Sequence, residues 1–96
     1  MRPSEALAKH RDEVLEIISR YPVRNPRVFG SVARGEDVEG SDIDILVERT
    51  GRLTLIDLAK LEIELEALLD VPVGVHTSGE FGPAATQRIT ADRRSL

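Results

Sequence analysis

Residues 30–48 read GSVARGEDVEGSDIDILVE, and the second half of this stretch decides the fold. Ile43, Ile45 and Val47 alternate with Asp42, Asp44, Leu46 and Glu48, the period of a β-strand with one buried face. Asp42 and Asp44 therefore leave the strand on the same side, with Cα atoms about 6.5 Å apart. Two ionised carboxylates so close repel, and burial would protonate one of them unless a cation or a basic side chain balances the pair. Mg²⁺ meets that need, because it takes hard oxygen ligands and is ordinarily held by one or two carboxylates together with substrate phosphates. An isolated D-x-D is better read as a solvated polar edge, but the residues before it alter the balance. Gly30 permits close backbone approach, and the Ser31 hydroxyl with the amides that follow can cradle a phosphate. Arg34, one helical turn beyond Ser31, can meet phosphate oxygens with two parallel hydrogen bonds.

Working outward, RVFG before this stretch predicts a strand over Arg27 to Gly30, since a β-branched residue and an aromatic lead into a turn-forming Gly. The two prolines of YPVRNP stop a preceding helix. That helix is predicted from an N-cap at Ser4, with Leu7, Val14, Leu15 and Ile18 on its apolar side. On the other side, Thr54 and Asp57 form the pattern of a capping box. The helix they open places Leu58, Leu61, Leu65 and Leu68 on one stripe, turns Lys60, Glu62, Glu64 and Glu66 mostly away, and runs to about Leu69. VPVGVHT alternates again and predicts a third strand, with Pro72 at its start or on an edge. A last short helix is expected over roughly Ala84 to Ala91, with Pro83 in its first turn, followed by the polar tail DRRSL. The α/β (α+β) class follows: a small mixed β-sheet backed by helices.

The 96 residues suffice for one domain over 1–96 with a modest core. Thirteen Lys and Arg against 17 Asp and Glu exclude a protein that blankets a nucleic-acid backbone, and Tyr21, Phe29 and Phe81 are too few aromatics for a base-stacking surface. With no Cys, disulfides, thiolate zinc sites and Cys nucleophiles are excluded. No apolar run approaches the ~20 residues of a membrane span, and the chain is expected to be soluble, unsecreted and cytoplasmic.

The G-S, ten intervening residues and D-x-D together resemble the signature of the DNA polymerase β-like nucleotidyltransferase superfamily. GSVARGEDVEGSDIDILV is most similar to its minimal nucleotidyltransferases. The resemblance runs from about Val28 through the third strand and more weakly into TSGEFGP. It implies a nucleotidyltransferase-like fold in which Gly30 and Ser31 hold a triphosphate, Arg34 assists, and Asp42 and Asp44 bind Mg²⁺ with ATP or another NTP. The implied reaction is transfer of a nucleoside monophosphate, AMP from ATP, to an acceptor hydroxyl. Family members of this size are often antitoxins paired with HEPN-domain toxins, some modifying a Tyr of that partner. The family usually carries a third carboxylate on the next strand, where this chain has Gly74. His76, two residues on, shares that face and could supply a neutral ligand or base, and Glu48 is a more distant substitute. The enzyme reading is preferred, because retained metal and phosphate grips have no other evident purpose, and the alternative that Gly74 favours is a nucleotide-binding antitoxin of weakened catalysis that neutralises its partner by contact. Leu53, Leu55 and Ile56 are residues such an interface could use.

Overall fold

The computed structural model describes residues 2–77 and 94–96. Its elements run α1 (Pro3–Lys9), α2 (Arg11–Ser19), β1 (Val23–Phe29), α3 (Ser31–Arg34), β2 (Ile43–Arg49), α4 (Leu55–Leu69), β3 (Val73–Thr77) and β4 (Arg94–Ser95). The sheet order is β3-β2-β1-β4, with β2 and β3 parallel and β1 antiparallel to both β2 and β4. The small mixed sheet backed by helices is thus the fold observed, in the α+β class. The expected helix over 84–91 lies outside the described residues.

Strand β2 is central because its sequence alternates. Ile43, Ile45 and Val47 are fully buried in a core shared with Val14 and Ile18 of α2, Leu61, Leu65 and Leu69 of α4, and Val73 and Val75 of β3. Each such Leu or Ile taken from water contributes about 2 kcal/mol, which is what holds the helices to this face. The opposite face of β2 carries Asp44, Leu46 and Glu48. Register places Phe29, Asp44 and Gly74 in one row across β1, β2 and β3, and Arg27, Leu46 and His76 in the next.

Several boundaries differ from the sequence reading, each for a physical reason. The first helix is two: the chain breaks at His10 (φ −111°, ψ 21°). No Pro or Gly stands there, but Asp12 and Glu13 open a new first turn, where the positive end of the helix dipole favours acidic groups. Arg2 rather than Ser4 is the N-cap of α1, with Pro3 in the first turn where its missing N–H costs nothing. Strand β1 starts four residues earlier than predicted, since Asn25 (φ 53°) and Pro26 are absorbed in a bulge between Arg24 and Arg27. The C-terminal residues are not a free polar tail. Arg94–Ser95 pairs with β1, the Leu96 amide donates to the Pro26 carbonyl at 3.1 Å, and Leu96 packs on the core.

Helix α4 has the predicted capping box, the Asp57 amide donating to Thr54 Oγ1 at 3.1 Å and the Thr54 amide to Asp57 Oδ2 at 3.0 Å. Its buried stripe is Leu61, Leu65 and Leu69, with Leu58 and Leu68 at the margin. The acidic residues between are not idle solvent groups. Glu62 Oε2 accepts the Val75 amide at 2.8 Å, and Glu66 Oε1 accepts the Val73 amide at 3.0 Å, so two outward N–H groups of the edge strand β3 are satisfied. Glu64 accepts a hydrogen bond from the Tyr21 hydroxyl, and that bond, with burial, pushes the phenol up to about 12. Leu55 and Ile56 are exposed, at 84% and 67%, whereas Leu53 is half-buried.

Candidate active site

The chemistry-bearing residues gather where β1 ends and β2 begins. Gly30, with φ 76° and ψ −151°, turns the chain out of β1 in a conformation that L-residues rarely adopt. Ser31 then opens the single-turn helix α3, which closes at left-handed Gly35. A Cβ added at Gly30 would lie 3.2 Å from Asp44 Oδ2, so the turn after β1 and the Asp44 carboxylate are in direct apposition. The other oxygen of that carboxylate, Oδ1, is 3.8 Å from His76 Nε2. The imidazole stands edge-on to Phe29, ring centroids 5.6 Å apart.

Asp42 sits one residue before β2 and is exposed. Arg34 is exposed as well, with Nε 3.2 Å from Glu36 Oε2, so a role on phosphate would require exchange of that partner. Gly74 is the register partner of Asp44, as the parity of the two strands predicts. Glu48 is not a replacement for the carboxylate absent there. It accepts from Asn25 Nδ2 at 2.7 Å and from Arg24 Nε at 3.3 Å, and these contacts hold its carboxyl below the usual range.

Among the described residues no three His, Cys, Asp or Glu side chains form a ready metal cluster. The donors nevertheless fit a divalent cation of the Mg²⁺ type. Asp44 is half-exposed with one oxygen towards the Gly30 turn and the other towards His76, Asp42 lies two residues before it, and such ions are completed by waters and substrate phosphates.

One residue of this region escaped the sequence reading. Asp37, in the loop between the Gly30 turn and β2, is buried and accepts the Ser4 amide at 2.9 Å, tying the loop to the first turn of α1. Its Oδ1 is buried without a hydrogen-bond partner. Burial raises its carboxyl, but the hydrogen bonds from Ser4 outweigh it and the net direction is downward from 3.8. A depressed folded-state value means that the ionised form stabilises the fold above the unfolded value and that this contribution is lost as pH falls below it. Asp37→Ala should therefore cost about 1–2 kcal/mol at neutral pH, the worth of a helix cap, and flatten the acid limb of stability below about pH 3.8. Chemical denaturation at pH 7 and at pH 3 measures both, and an unchanged acid limb would contradict the assignment.

A profile of the nucleotidyltransferase domain matches residues 7–96. The chain belongs to that family. A Methanocaldococcus jannaschii relative that carries the provisional name protein adenylyltransferase is 40% identical over 77 residues, 80% of this chain and 83% of its own length. A solved structure provisionally named a minimal nucleotidyltransferase superposes with a TM-score of 0.84 at 38% identity, covering 97% of this chain and 95% of that one. One chain of a solved structure described as a tri-AMPylated Shewanella oneidensis HEPN toxin in complex with MNT antitoxin shares the fold, with a TM-score of 0.71 at 18% identity, covering 92% of this chain and 69% of that one.

Proposed function

We propose that this domain transfers AMP from ATP to a hydroxyl of a protein partner, a HEPN-domain toxin, and acts in the cytoplasm as its antitoxin. The observation that carries the reading is the apposition of the Asp44 carboxylate and the Gly30 turn, which would set a cation grip beside a phosphate grip. Gly30 and Ser31 would hold the triphosphate, Arg34 would exchange Glu36 for phosphate, and Asp42 and Asp44 would hold Mg²⁺. A bound cation there supplies charge neutralisation at the attacking and leaving oxygens. The acceptor hydroxyl gives up its proton to solvent as its oxygen bonds to the α-phosphorus in line, the bond from that phosphorus to the α–β bridging oxygen breaks, and pyrophosphate leaves. The domain's own share is positioning and electrostatics rather than covalent chemistry. The relative named as an adenylyltransferase and the AMPylated toxin in the neighbouring structure support the choice of AMP and of a protein acceptor.

A second reading is favoured by Gly74, which gives β3 no carboxylate beside Asp44: the domain binds nucleotide, is weakened in catalysis and neutralises its partner by contact. Supplying ATP labelled at the α-phosphate to the domain and its co-purified partner separates the two. Label on the partner is the expected result. A tight complex that never takes up label would establish the contact antitoxin instead.

A further inference from the structure

Gly74 and His76 make sense only as a pair. The parallel register sets residue 74 beside Asp44, and the backbone there does not require Gly, since positive φ among the described glycines is confined to Gly30, Gly35 and Gly40. What favours Gly is space. A Cβ at position 74 would lie 3.1 Å from His76 Nε2 and 3.4 Å from Asp44 Oδ1. The imidazole has folded back over residue 74 and occupies the room its side chain would take. The T-shaped contact with Phe29 braces the ring in that position.

We propose that His76 Nε2 is a metal donor of this site alongside Asp44, admitted by Gly74, and that it gives the domain a preference for first-row transition ions such as Mn²⁺ or Co²⁺ over Mg²⁺. This rests on the cation-dependent nucleotide reading above and deepens it. Two donors about 2.1 Å from one ion stand about 3.0 Å apart at adjacent octahedral corners and about 4.2 Å apart at opposite ones. The observed 3.8 Å between His76 Nε2 and Asp44 Oδ1 has to close by about 0.8 Å for the two to take adjacent corners, a movement within reach of side-chain rotation at two half-exposed residues. An all-carboxylate grip suits Mg²⁺, whereas an imidazole nitrogen shifts affinity towards the borderline metals. Asp42 and the nucleotide's phosphates would supply the further oxygens.

The test needs no turnover. Binding of Co²⁺, Mn²⁺ and Mg²⁺ to the intact domain is measured by calorimetry, and the ¹⁵N shift of the His76 ring is followed as Zn²⁺ is added. The wild-type domain should bind Co²⁺ about ten-fold more tightly than Mg²⁺, and Zn²⁺ should move the Nε2 resonance. His76→Ala should lose about ten-fold in Co²⁺ affinity with little change for Mg²⁺, a loss of the size usual for disturbed metal sites. Gly74→Ala removes no donor but pushes the ring aside, and should weaken Co²⁺ in the same direction. It keeps the proposal testable if the His76 variant folds poorly. Unchanged Co²⁺ affinity in both variants, or an Nε2 resonance unmoved by Zn²⁺, would overturn the role of His76. If Asp44→Asn still abolishes cation binding, the nucleotide site survives that failure; if Asp44→Asn also changes nothing, the site reading fails with it.

Discussion

Asp44→Asn should abolish cation-dependent ATP binding and lower AMP transfer by about 10²–10³-fold, the usual loss when one preorganised electrostatic group leaves an active site. The substitution keeps the shape of the side chain and removes only its charge. With 37% of its side chain exposed and no core contact, Asp44 contributes little to folding, so stability should change by less than about 1 kcal/mol. That separation of effects is what identifies a functional carboxylate. Adding Asp42→Asn should deepen the loss of Mg²⁺-dependent binding without a further drop in melting temperature. Calorimetric titration of ATP with and without Mg²⁺ reads it directly, and equal affinity for wild type and double variant would remove the cation grip from the mechanism.

Gly30→Ala should damage the fold and the site together. The backbone at Gly30 (φ 76°, ψ −151°) lies in a region held almost entirely by Gly, and an L-residue forced into it costs about 1–3 kcal/mol. In a domain of this size each kcal/mol shifts the melting temperature by roughly 4–8 °C. The new methyl would also press on Asp44 Oδ2 at 3.2 Å, so the carboxylate has to give way by a few tenths of an ångström. ATP affinity should consequently fall by about ten-fold or more, beyond any effect of instability. Gly35→Ala is the control: its φ is also positive, at 71°, but nothing lies within 4 Å of the added Cβ. It should lose stability while keeping its nucleotide affinity. Equal losses of affinity in the two variants would show that backbone strain alone, and not the apposition to Asp44, is responsible.

What was legible in the sequence was whatever is encoded locally. β2 and β3 follow from alternation, α4 from its capping box and leucine stripe, and the mixed sheet from joining them. That Asp44, Gly74 and His76 share one face was legible too, because strand parity survives any error in exact ends. Less accessible was anything settled by distant partners. Asp37 reads as one more acid in a polar loop until the α1 amide 33 residues away is seen to reach it. Glu62 and Glu66 read as the wet side of a helix, and only the position of β3 turns them inward. Asp42, expected within the strand, precedes it, since pairing with β3 begins at Ile43. The approach of the His76 ring to Asp44 depends on a rotamer that spacing does not encode.

The carboxylates over β3 have a consequence for how this molecule meets others. A sheet whose outer rim still offers its amides can be extended by any passing polypeptide, and from there into fibrils. Here the rim carries fixed negative charge in place of vacant donors at Val73 and Val75, so a foreign backbone cannot zipper onto that flank, and whatever docks there must recognise side chains.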